Sequence, residues 1–199
     1  MSQRIGIYSG SFDPIHKGHI SFALSAIDDA KLDKVYFLVE ALPRHKPGIT
    51  HLAHRIAMLR LATRAHTKLS VLELPDKRFA VATTLPRILA RFKGDELFML
   101  MGSDVLEHLA KWPMSEELLS HAGLVVGLRA GTDISDTLAL ATAMPKPLKE
   151  LHVIESPEPT IASKQIRHSF REKHPSNAVL PSVSRYIEKQ WLYHDLSKH

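Results

Sequence analysis

Two histidines three residues apart, His16 and His19, flank Lys17 within the stretch Gly10-Ser11-Phe12-Asp13-Pro14-Ile15-His16-Lys17-Gly18-His19. Imidazoles and an ammonium group at this spacing bring hydrogen-bond donors and positive charge to one place, which is the chemistry of holding phosphate. The other chemistry open to His-x-x-His is a transition-metal site, and Asp13 is the only nearby carboxylate that would add to its ligand set. Without any chemistry, the stretch is a tight turn carrying surface histidines. The chain has no cysteine, which excludes disulfides, a thiol nucleophile and Cys-type zinc sites.

The neighbouring residues favour the phosphate reading. The apolar run Ile5-Gly6-Ile7-Tyr8 precedes the stretch and an apolar helical pattern follows from Ile20, so the order is strand, loop, helix. A helix start carries unpaired N–H groups and partial positive charge. With Gly18 opening the helix, His19 lies in its first turn and His16 just ahead, so both rings can meet one anion over the helix end. Gly10 and Gly18 leave room for a ligand or another backbone. Pro14 fixes the course of the loop.

These ten residues resemble the GxFDPxHxGH signature of the nucleotidylyltransferase superfamily, which joins a nucleoside triphosphate to a phosphate-bearing acceptor with release of pyrophosphate. Neither GxxxxGK[ST] nor GxGxxG occurs, so kinase and dinucleotide-dehydrogenase readings lose their main support.

At 199 residues the chain suits one α/β domain, 1–199, with a small C-terminal helical part over about 160–199. There is no signal-peptide pattern and no apolar run long enough for a bilayer, so the expectation is a cytoplasmic protein without a membrane partner. The formal charge is +5, and thirteen histidines add to it in mild acid. The basic residues are scattered, without aromatic interleaving, which suits a polyphosphate pocket better than nucleic acid. Oligomeric state is not legible.

Strands are predicted at Val35 to Val39, Leu69 to Leu72, Glu96 to Met101, Gly123 to Leu128 and Leu151 to Ile154, alternating with helices. That alternation predicts a Rossmann-like, doubly wound, mostly parallel sheet with ligand loops at its carboxyl edge. A helix is predicted over His51 to Ala65, with Arg55, Arg60 and Arg64 on a solvated face. Thr83 or Thr84 caps a helix running to Arg91, with Pro86 in its first turn. Ser115 and Ser163 are candidate N-caps. Asp104, just past a strand end, either accepts from a ribose or caps the next helix. Arg129 arrives at the same sheet edge. A final helix spans about Pro181 to Lys189.

Further segments in the same order resemble the bacterial nicotinate or nicotinamide mononucleotide adenylyltransferases: LPRHK, HRIAMLRLA, GSDVLEHLAKW, VVGLRAG, YIEKQWLY, and Ile161 to Arg167, which is similar to that family's ISSTxIR element. The resemblance implies ATP and a pyridine mononucleotide as partners, with Mg²⁺ carried by ATP and no protein metal site. It places His16, His19 and Arg167 at the phosphates as catalytic groups. Gly10, Ser11, Phe12, Gly18, Gly102, Asp104, Ile161 and Ser163 would bind ATP, and His45, Lys46, Trp112 and Arg129 the acceptor. Trp112 read alone is equally an aromatic filling a crevice.

The departures from the family pattern are Glu40 in place of Asn, Phe79-Ala80-Val81 in place of Ser-Tyr-Thr, and Ala162 and Lys164 within the C-terminal element. They leave open nicotinate against nicotinamide. The alternatives are a nucleotidylyltransferase for another phosphorylated acceptor and a non-catalytic nucleotide-binding regulator.

Overall fold

A computed structural model describes residues 2–43, 48–174 and 176–194. Six strands, β1 (Arg4–Gly10), β2 (Lys34–Val39), β3 (Leu69–Leu72), β4 (Glu96–Gly102), β5 (Ala122–Leu128) and β6 (Leu151–Glu155), form one sheet in the order β3-β2-β1-β4-β5-β6. Every ladder is parallel. The strands are apolar on both faces because helices cover both. On β1, Ile5 and Ile7 enter one core, while Tyr8 packs against the other.

One face of the sheet is covered by α1 (Lys17–Asp29), α2 (Leu52–Thr63), α7 (Ser163–Arg171) and α8 (Pro181–Lys189), with Phe22, Met58, Leu59, Phe170 and Ile187 buried between them. The other is covered by α3 (Val81–Arg91), α4 (Ser103–Leu109) and α5 (Ser115–His121), through Leu85, Ile88, Leu106 and Leu118. The remaining helix, α6 (Ile134–Thr142), lies between β5 and β6 in the chain. The strand order reverses between β1 and β4, so the loops leaving these two strands diverge and open a crevice at the carboxyl edge. At the opposite edge Arg4 ties β1 to Glu96 (2.8 Å) and Glu150 (2.6 Å), its guanidinium 4.4 Å from the centre of the Phe98 ring.

Four local expectations are corrected. Arg55 is fully buried, whereas Arg60 and Arg64 are exposed as expected. Pro86 sits in the body of α3, whose N-cap is Ala80; Thr84 instead accepts the Ala80 N–H at its side-chain oxygen (3.1 Å). Met114, in left-handed conformation, precedes α5, so Ser115 is the first helical residue. Ala162 is the N-cap of α7, which releases the Ser163 hydroxyl for a contact elsewhere. For Thr84 and Ser163 a backbone partner takes the side-chain oxygen that a local cap would have used.

Candidate functional site

The crevice between β1 and β4 is a cleft of about 400 Å³. Its floor is the turn after β1, Gly10 to Phe12, and His19 of α1. One wall is the end of β4 with Gly102 and Asp104, and Arg129 after β5. The other is Glu40, Phe79 to Ala82, and Trp112.

His16 is the N-cap of α1 and His19 its third residue. The backbone N–H of His16 donates to His19 Nδ1 (3.3 Å), and the two rings stack with centroids 3.5 Å apart. With Nδ1 accepting, the ring proton of neutral His19 sits on Nε2, which makes that atom a donor. His16 is only 4% exposed, and burial, aided by the positive charge of Arg129, pushes its pKa down to about 3. It is therefore a neutral imidazole at ordinary pH, and its buried Nδ1 has no hydrogen-bond partner among the described residues. Gly18 packs closely here: a Cβ would lie 3.1 Å from that Nδ1 and 3.3 Å from the Glu158 carbonyl oxygen, contacts that the neighbours would have to yield to accommodate. A second, smaller pocket behind the rings is lined by His16, Gly18, His19, Arg129 and Ile161.

The loop between β1 and α1 is held from several directions. Phe12 adopts φ +47°, unfavourable for a bulky residue. It is kept there edge-on against Tyr8 (5.3 Å), His19 (5.1 Å) and Phe37 (5.3 Å). Arg167 donates to the Asp13 carbonyl (2.6 Å) and the Ser163 hydroxyl to the Pro14 carbonyl (3.0 Å). The Asp13 carboxylate, itself buried, accepts from the Tyr193 hydroxyl (2.7 Å) and the Thr50 N–H (3.2 Å). Burial and the adjoining Asp13 raise the Tyr193 pKa, so the phenol stays protonated as a donor.

Beneath the loop lies Arg55. It donates to the carbonyls of Thr50 (2.8 Å), Ser11 (2.9 Å), Glu40 (2.7 Å) and Ala41 (2.9 Å). One guanidinium thus fastens the turns after β1 and β2 to the start of α2. Sequence reasoning missed it, although a signal existed: Arg55 precedes Met58, Leu59 and Ala62 at helical spacing, on the apolar stripe of α2. Tyr193 was missed as well, and nothing local could mark a partner lying 180 residues from Asp13.

The expected adenosine and acceptor residues divide between the two walls. Gly102 is the N-cap of α4, so Asp104 does not cap that helix; its carboxylate folds over Gly102 and pairs with Arg129 (3.5 Å). Trp112 is partly buried and tilted 6.0 Å from Phe79. His45 and Lys46 lie outside the described residues.

Among the described residues no group of three or more His, Asp or Glu could hold a metal ion. No helix is long and apolar enough to cross a membrane.

Residues 7–174 match the model of the cytidylyltransferase-like family. The nicotinate-nucleotide adenylyltransferase of Bacillus subtilis is 32% identical over 200 residues, spanning 96% of this chain and 98% of that protein. A probable nicotinate-nucleotide adenylyltransferase of Carboxydothermus hydrogenoformans is 34% identical over 196 residues, with the same coverage. In fold, the chain is similar to the nicotinic acid mononucleotide adenylyltransferase of Plasmodium falciparum, solved in complex with NaAD, at TM-score 0.77 and 19% identity over 96% of this chain and 97% of that one.

Proposed function

Since this chain belongs to the cytidylyltransferase-like family, we propose that it transfers the adenylyl group of Mg²⁺-ATP to the phosphate of a pyridine mononucleotide, nicotinate or nicotinamide, in NAD biosynthesis. An acceptor phosphate oxygen attacks the α-phosphorus in line, the bond to the β-phosphate bridging oxygen breaks, and pyrophosphate leaves as the dinucleotide forms. The observation that carries this reading is the stacked pair His16 and His19 at the N-terminus of α1, with His19 in the floor of the crevice between β1 and β4 and both rings lining the smaller pocket.

Adenylyl transfer needs positioning and charge stabilisation more than covalent participation. His19 donates through Nε2 to the triphosphate, and His16, neutral and fixed by burial, acts beside it without adding charge of its own. Arg167 uses one nitrogen on the Asp13 carbonyl and has further N–H groups for the β and γ phosphates. Ser163 opens α7 next to it, so the helix N-terminus adds partial positive charge.

Adenosine lies against Gly102, Asp104 and Ile161. Gly10, Ser11, Phe12 and Gly18 line its phosphate path. The acceptor ring stacks on Trp112, with Arg129, His45 and Lys46 at its phosphate. Mg²⁺ arrives on ATP. The reading takes residues 1–199 as one domain working in the cytoplasm, without nucleic acid.

The test is pyrophosphate release from Mg²⁺-ATP with each mononucleotide in parallel, for the wild type, His16→Ala and His19→Ala. Release with a pyridine mononucleotide, reduced about a hundredfold or more in both variants, supports the assignment. Silence with both mononucleotides, despite ATP binding, refutes the pyridine acceptor.

A further inference from the structure

Glu40 is a carboxylate fixed in the wall of the cleft. Its backbone is pinned on both sides: its N–H donates to the Gly10 carbonyl (3.0 Å) and its carbonyl accepts from Arg55 (2.7 Å). Its side-chain Oε1 accepts from the Phe79 N–H (3.2 Å) and the Ser9 hydroxyl (3.4 Å). These contacts hold the carboxylate beside the aromatic pair Phe79 and Trp112, on the wall assigned to the acceptor ring.

Among the described residues Glu40 forms no ion pair. Arg55 directs its N–H groups at four neutral carbonyls, one of them Glu40's own, Arg129 pairs with Asp104, and Arg78 is exposed where it lines the same cleft. A ring entering this wall therefore meets a carboxylate held in place by Ser9 and Phe79 and in no ion pair with a described residue.

We infer that Glu40 sets the acceptor preference of the cleft, selecting a pyridinium ring that carries a carboxamide over one that carries a carboxylate. The inference rests on the pyridine-acceptor reading above. An N-ribosyl pyridinium with a carboxamide has net positive charge and an N–H₂ donor for the carboxylate. A ring carboxylate cancels that charge, brings no donor, and is repelled by Glu40 at short range. This would set the chain apart from relatives named for nicotinate.

The test compares kcat/KM for nicotinamide mononucleotide and nicotinate mononucleotide at saturating Mg²⁺-ATP, in the wild type and in Glu40→Gln. Glutamine keeps the size and an oxygen that can accept from Phe79 and Ser9, but removes the charge. The wild type is expected to favour nicotinamide by about tenfold or more, and the variant to shift the ratio toward nicotinate by about tenfold, each tenfold being about 1.4 kcal/mol. A merely structural role would lower both rates together and leave the ratio unmoved, which overturns the assignment. Wild-type preference for nicotinate overturns it without any variant. Turnover with neither mononucleotide overturns the pyridine reading itself, and the assignment with it.

Discussion

Replacing Arg55 by Met keeps the bulk of a side chain with 0% exposure but removes four donors at once. The carbonyls of Thr50, Ser11, Glu40 and Ala41 then lose the guanidinium that holds them. At about 1.5–3 kcal/mol for a hydrogen bond to a charged group, four would sum to roughly 6–12 kcal/mol. Neighbouring contacts do not add, and the variant escapes the desolvation of a buried guanidinium, the same burial that lowers the Arg55 pKa. A net loss of about 3–5 kcal/mol is expected, a large share of ordinary domain stability. For a chain of this size it corresponds to a melting temperature lower by roughly 6–20 °C. Arg55→Lys keeps the charge, but its donors radiate from one nitrogen and cannot span four carbonyls, so it should recover only part of the loss. Calorimetry or urea unfolding reads the stability. Nucleotide KM at a temperature where the variant is folded reads the loop positions, and it should rise. A Met variant melting within about 2 °C of wild type, or a Lys variant equal to wild type, would refute the tie.

Two further outcomes follow from the loop. The folded-state pKa of His16 is pushed down to about 3 from the usual 6.5, so between these values the unfolded chain binds more protons and stability falls as pH drops through that window. Urea unfolding at about pH 7 and about pH 5 should show an acid loss of up to a few kcal/mol that His16→Asn makes shallower, and equal slopes would contradict the burial argument. Tyr193→Phe removes the donor to the buried Asp13 carboxylate, with an expected cost of about 1–3 kcal/mol and weaker binding of ATP. A thermal melt with and without ATP checks both, and no change in either would detach the C-terminal segment from the loop.

The sequence by itself determined the strand and helix order, the parallel sheet with its ligand edge, and the strand, loop, helix carrying His16 and His19. These are encoded by apolar periodicity and by residues within a few positions of one another, so they can be read locally. Arg60 and Arg64 could be placed on the surface for the same reason. Arg55 could not be distinguished from them by charge, because a guanidinium is tolerated inside only where several carbonyls turn inward, and those belong to three separate turns. Ser163 and Arg167 were legible as a helix start, but their bonds to the Pro14 and Asp13 carbonyls join residues 149 and 154 apart. Likewise, the fixed charge of Glu40 at the acceptor wall depends on Phe79 and Ser9 arriving from other elements. Only the tertiary structure decided these contacts, since burial and hydrogen-bond satisfaction are set by what the fold brings together.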